Sequence, residues 1–401
     1  MRTMMWKWIV GAFLLIIGSS AAIAAAFAMS DRSERTPPIQ QVAVEPARLP
    51  VAPPEPPKPL VLRPEVLYSV RDDTALQTVA FGPGGKVLVT GGSRLAAQDS
   101  GTVKLRDPDN GKPTSTVPFP LEVQAVAISP DGKQMAIGTG GILQGPRAKP
   151  YNVTPGRLSL LSFPNGKVQF NLKGGSNSYP ALAYSLDGKL LAVGGSPANE
   201  KGASRDVTPI TIWDPATGME KLTLKGQPGY IRGVAFSPDG KKLAVVSMAQ
   251  DRPGQPWQGY AHLWDTGSGK DLIELKVDAA VWSVAFVLNG KLLATGGGDG
   301  NVRVWDPENG KEIAKLKAGA PAVSALAFSP DGRLLASGGG DPGDGEAKGM
   351  LKIWDVETWK ELAELKGYDR TVRGLAFAPD GARLASADQR GALKVWSLGL
   401  Q

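Results

Sequence analysis

Reactive side chains are scarce in this chain. Its 401 residues include no cysteine and a single histidine, His262. Thiolate nucleophiles, disulfides, iron–sulfur ligation and thiolate zinc sites are therefore excluded. His262 lies in the run Ala261-His262-Leu263-Trp264, two residues from Trp264 and so on the same face of an extended strand. No spacing in the sequence pairs it with a catalytic partner, and packing is the reading its position favours. Gly138-Thr139-Gly140-Gly141 and Gly296-Gly297-Gly298 are glycine clusters of the kind that cradle phosphates. No helical pattern follows either, and no Gly-Lys-Ser/Thr occurs, so turn geometry accounts for both. Asp341, Asp344 and Glu346 could offer oxygens to Ca²⁺, but they lack the full ligand set of an EF-hand loop and read as a solvated acidic loop. No cofactor, resident metal or catalytic constellation is expected, and the chain reads as a non-enzyme.

The composition points to many short strands. Fifty glycines and 33 prolines coexist with 42% apolar residues, which suits tight turns between buried strands better than disorder. The formal charge of +7 comes from 45 cations and 38 anions scattered along the chain. No Lys/Arg run of the kind that neutralises a phosphate backbone is present, so nucleic acid is not an expected partner.

The N-terminal region is different. Residues 8–29 carry no charge, and as a helix they would span roughly 33 Å, enough for a hydrocarbon core. Trp6 and Trp8 suit an interface, and Arg2 and Lys7 would stay cytoplasmic. Residues 1–30 thus read as a hydrophobic helix, either a transmembrane anchor or a signal peptide with a small-residue site at Ala26-Phe27-Ala28. Both readings export the rest of the chain; the anchor places it on the extracytoplasmic side of the cell membrane, and cleavage would leave it secreted or periplasmic. Residues 31–64 follow as a linker with ten prolines from Pro37 to Pro64. Such a stretch cannot build ladders and should form an extended, stiff stalk.

From about residue 65 the sequence repeats. Val79-Ala80-Phe81 returns at Val126, Leu182, Val234, Val284, Leu326 and Leu375, with offsets of 47, 56, 52, 50, 42 and 49 residues. Seven units of this period indicate a propeller or an array. Within each unit a first apolar strand ends in a turn such as Ser129-Pro130-Asp131-Gly132, in which Pro presets φ and Gly supplies a positive φ. A second strand, a third ending near Trp, and a more polar fourth complete an antiparallel four-stranded blade.

The pairs Trp213-Asp214, Trp264-Asp265, Trp305-Asp306 and Trp354-Asp355, with the Ser-Pro-Asp-Gly turns, resemble the WD-repeat β-propeller family over about residues 65–401. Units one, two and seven depart, with Arg106-Asp107, Ser162-Phe163 and Trp396-Ser397 in place of the pair. Lys173-Gly174, Lys225-Gly226 and Lys366-Gly367 stand where the family has Gly-His, so its His–Ser/Thr–Asp–Trp network is not expected to form. The last unit stops after its third strand at Leu398, and residues 65–70 have the fourth-strand pattern. The expected fold is all-β: a seven-bladed propeller whose last blade is closed by an N-terminal strand.

The family's strand order places the connections between second and third strands, and between one unit and the next, on one rim. The connections at 141–156, 196–208 and 248–259 are long there and carry Arg147, Tyr151, Arg205 and Trp257, with Tyr260 beside them. Unit-to-unit connections add Tyr179, Tyr230, Arg232, Trp282, Tyr368 and Arg373. Arg and aromatic side chains dominate binding hot spots. The resemblance implies a scaffold for protein or peptide partners, and the rim is the expected contact surface. A receptor for an acidic small molecule or glycan using the same rim is one alternative. A propeller hydrolase or lactonase is another, although the chain offers neither the metal cage nor the triad such enzymes use.

Overall fold

The computed structural model describes residues 60–94, 97–140, 155–196, 207–250, 255–287, 289–341 and 348–399. The chain divides into two units, Met1–Pro57 and Lys58–Gln401. The hydrophobic segment 1–30 and most of the proline-rich linker lie outside the described residues. Among the described residues no helix is long and apolar enough to cross a membrane.

The second unit is built from seven four-stranded antiparallel sheets. In each, the first strand is followed outward by the second, third and fourth, as in Ala322–Phe328, Leu334–Gly340, Gly349–Asp355 and Glu361–Tyr368 of blade 6. The first strands are Thr74–Phe81, Val123–Ile128, Ala181–Tyr184, Tyr230–Phe236, Val281–Phe286, Ala322–Phe328 and Val372–Phe377. Each touches the next, and the seventh touches the first, so they form a closed ring around a central channel. Blade 7 obtains its outermost strand from Glu65–Arg71, which pairs antiparallel with Ala392–Ser397, as its pattern predicts.

Local chemistry explains the hairpins. In the turn after the first strand, the Ser129, Ser185 and Ser237 hydroxyls each donate to the aspartate two residues on, at 2.6 Å. Each also accepts a backbone N–H from five residues on, at 2.9–3.0 Å. Gly132 and Gly240 take φ of +67° and +71° to close the turn, a region that side chains with a Cβ avoid.

The core lies between blades. Trp213, Trp264, Trp305, Trp354 and Trp396 are all buried, each within a cluster that includes the preceding blade. Burying an indole of this size contributes on the order of 3 kcal/mol. In blade 2 the residue opposite Met135 on the third strand is Leu161, so the equivalent pair is Leu161-Ser162 rather than Ser162-Phe163. Strand register, not motif spacing, decides this, because blade 2 has no Trp to align on.

In blade 1 the Trp position is taken by Arg106, opposite Leu88. Its guanidinium is buried against the Asp72 carboxylate, donates from Nε to Thr90 Oγ1 at 3.0 Å, and from Nη1 to the Gly111 carbonyl at 2.9 Å. Lys104 Nζ reaches the same Asp72 at 2.6 Å.

Blade 7 holds a buried hydrogen-bond cluster of its own. Tyr368 follows Gly367 where a histidine would stand, and its hydroxyl lies 2.6 Å from Ser386 Oγ. Trp396 Nε1 donates to the Tyr368 hydroxyl at 3.0 Å and to Ser386 at 3.3 Å. The His–Ser/Thr–Asp–Trp network itself is not formed among the described residues; in blade 7 a phenol stands in place of the imidazole, and burial pushes its pKa up.

Candidate functional site

Six of the seven first strands contain a β-bulge at the same place, two residues before the repeating apolar triplet. The ladder skips Gln77, Gln124, Arg232, Trp282, Ser324 and Arg373. A bulge adds one residue without a cross-strand partner and re-aims its side chain. The first strand of blade 3 is shorter, unbulged, and preceded at this position by Pro180. These positions form one ring around the channel near the ends of the first strands. Gln77, Arg232, Trp282 and Arg373 are the chemically distinctive members, and all but Gln77 line a cavity of about 190 Å³. Thr78, Ser283 and Ser324 add hydroxyls to its wall.

The indole of Trp282 is flanked by two guanidiniums. Arg232 Cζ lies 4.7 Å from the ring centroid and Arg373 Cζ 5.9 Å. Contacts of this kind are attractive through the ring quadrupole. Arg232 also lies 5.8 Å from the Tyr230 ring, which meets Trp257 edge-on with centroids 5.8 Å apart and planes at 67°. Trp257, Tyr230, Arg232, Trp282 and Arg373 thus form one aromatic–cationic band from the rim into the channel.

The electrostatics of the band are unbalanced. Burial, reinforced by the Arg373 charge, lowers the Arg232 pKa to about 10. Arg232 Nε is sealed from solvent with no hydrogen-bond partner. Burial also lowers the Arg373 pKa, against the opposing field of Glu122. Gln389 sits beside Arg373; with its amide oxygen facing the guanidinium it accepts from Nε at 3.2 Å and Nη2 at 2.8 Å. Glu122 in turn accepts from Gln77 Nε2 at 3.0 Å.

The remaining expected rim residues fall into three groups. Tyr260 is partly exposed beside the band, its hydroxyl donating to Gln258 at 3.1 Å. Tyr179 is only 3% exposed and packs with Trp213, so it supports the rim from below and presents no surface. The same holds for Tyr368, fully buried in the network above. Arg147, Tyr151 and Arg205 lie outside the described residues, as do Asp344 and Glu346 of the acidic loop. Asp341 is described, and its carbonyl accepts from Thr371 Oγ1. Among the described residues, no cluster of three or more His, Cys, Asp or Glu side chains is placed to hold a metal.

His262 has a partner that no sequence spacing revealed: Asp271 Oδ2 on the neighbouring strand lies 2.8 Å from its Nδ1. Neither residue lines the channel cavity. Residue type alone does not mark Gln77, Glu122, Gln124, Ser324 or Gln389 in the sequence. The position two residues before the apolar triplet marks three of them, Gln77, Gln124 and Ser324.

The WD domain, G-beta repeat family matches residues 218–265, 269–306, 310–355 and 359–397. An uncharacterized WD repeat-containing protein of Synechocystis sp. is 29% identical over 176 residues, 43% of this chain and 41% of its own length. Telomerase protein component 1 of Rattus norvegicus is 25% identical over 216 residues, 54% of this chain but 7% of its own. Protein transport protein SEC13 of Chaetomium globosum is 34% identical over 111 residues, 26% of this chain and 36% of its own. The chain therefore spans less than half the length of these relatives. The seven closed sheets make a seven-bladed β-propeller, and four segments between residues 218 and 397 match the WD repeat.

Proposed function

We propose that this propeller is a scaffold for a protein partner, engaged through the rim at which Trp257, Tyr230, Arg232, Trp282 and Arg373 converge. The observation that carries this reading is the indole of Trp282 held between two guanidiniums at the channel mouth. Arg and aromatic groups in a partly desolvated, rigid setting are the side chains on which interface energy concentrates. Here β-bulges on strands of a closed ring hold Arg232, Trp282 and Arg373, so little of their ordering entropy is lost on binding. The uncharged stretch at 8–29 and the proline-rich linker support presentation of this face outside the cytoplasmic membrane on a stiff stalk.

Crosslinking of the tagged full-length chain in cells, followed by mass spectrometry, tests the scaffold reading. Trp282→Ala should abolish the main crosslinked partner while leaving the melting temperature of the purified protein within about 2 °C of wild type. A partner retained by both Trp282→Ala and Arg232→Ala would move the interface to another face. Fractionation tests the tether: the chain should stay with membranes after an alkaline wash, and its release would end that part of the reading.

A further inference from the structure

The rim reading leaves open what a partner would place in the channel mouth, and the charges there narrow the answer. Two guanidiniums, Arg232 and Arg373, face the cavity, and among the described residues a single carboxylate, Glu122, contributes an opposing field at Arg373. That carboxylate is already engaged by Gln77, and Arg373 is further met by Gln389. Arg232 touches only aromatic faces and has a sealed Nε without a partner. Among the described residues one positive charge in the mouth is thus uncompensated, and an unpaired charge in a low-dielectric setting is costly until an anion meets it.

We propose that the channel mouth seats a carboxylate of the bound partner, an acidic side chain or a chain terminus, against Arg232 with Trp282 beneath it. This rests on the scaffold reading and names the group that the scaffold recognises. A carboxylate matches one uncompensated charge, whereas a phosphate dianion would leave an excess negative charge near Glu122. Guanidinium forks bind carboxylates bidentately. The cavity of about 190 Å³ has room for one such group.

The test uses the full-length protein and four probes followed by fluorescence and NMR: a capped tetra-glutamate peptide, a capped tetra-glutamine peptide, free glutarate and inorganic phosphate. The tetra-glutamate peptide should saturate, and Arg232→Gln should weaken it at least about tenfold. Trp282→Phe should remove the fluorescence change, and binding should weaken with added salt. Equal binding of the glutamine peptide, no loss in Arg232→Gln, or no saturation by the glutamate peptide would overturn the carboxylate seat. Tighter binding of phosphate would overturn it in favour of a phosphoryl seat. Should Arg232→Gln fail to fold, competition by glutarate against the peptide on the wild-type protein decides the same point. Glutarate binding as tightly as the peptide would instead overturn the scaffold reading in favour of a small-acid receptor. A partner that crosslinks through Trp282 while all acidic probes fail would leave the scaffold standing and remove only the carboxylate.

Discussion

At the C-terminal end of each third strand one residue seals a blade against its predecessor, and its chemistry covaries with a residue on the second strand. Trp305 Nε1 donates to Thr295 at 2.9 Å and Trp354 Nε1 to Ser337 at 2.8 Å. Where that second-strand position is Val245, Trp264 Nε1 has no partner; where it is Val193, Trp213 turns to Thr211 on its own strand. Blade 1 keeps the hydroxyl, Thr90, but replaces the indole by Arg106, and Asp72 then becomes obligatory. Removing one member of a buried ion pair strands the other. Asp72→Ala is therefore expected to cost about 3–5 kcal/mol, read as a lower urea midpoint with an unchanged slope. Arg106→Leu added to Asp72→Ala should recover part of that loss, and a double-mutant cycle without coupling would refute the pairing. Arg106-Asp107 was visible in the sequence as a departure from the repeat. Asp72 was not, because it sits in a connection that has no fixed spacing to the third strand, and only the folded register brings the two together.

The elements were legible to different degrees for physical reasons. Hairpin turns declared themselves because Ser, Pro, Asp and Gly each satisfy a separate demand of the turn. The bulges did not, since one extra residue in a short apolar strand leaves no signature in composition; Arg232, Trp282 and Arg373 were found by residue type, and their shared ring position emerged only from the ladder. The turn chemistry has a pH consequence. Hydrogen bonds from Ser129, Ser185 and Ser237 first, and backbone N–H groups next, hold the Asp131, Asp187 and Asp239 carboxyls below their ordinary range. A depressed folded-state pKa gives stability that is fully present above the unfolded value, about 4, and is lost as pH falls through the lower folded value. These groups are largely solvated, so screening keeps each contribution small. The triple variant Asp131→Asn, Asp187→Asn, Asp239→Asn should thus unfold at lower urea than wild type near pH 6, with the gap closing as pH falls below the unfolded-state value. A gap independent of pH would show that the carboxyl charge is not what the turns use.

Closure joins these effects across the whole molecule. Six of the interfaces between neighbouring blades are sealed at the third-strand position by a Trp or by Leu161; the seventh, between blades 7 and 1, has Arg106 there instead. Asp72, the partner of Arg106, directly follows the strand Glu65–Arg71 that completes blade 7. The segment that supplies the missing strand thus also supplies the counter-charge for the interface beside it, and Tyr68 and Val70 pack against the same cluster. The complementarity of the two chain ends was readable from repeat counting alone, whereas its reinforcement by a buried ion pair was not. Deleting residues 1–71 while keeping Asp72 separates the two contributions. The ladder to Ala392–Ser397, six residue pairs long, is then lost, and the partly buried Leu60, Leu62, Tyr68 and Val70 go with it. The expected cost is about 3 kcal/mol, and a ring opened at one point should also lose cooperativity, with blades 7 and 1 exchanging amide protons first. A synthetic peptide of residues 60–71 added in trans should restore both the urea midpoint and the protection. Unfolding of the truncated chain at the wild-type midpoint, with uniform protection in every blade, would mean that packing between blades holds the ring and that the strand exchange is dispensable.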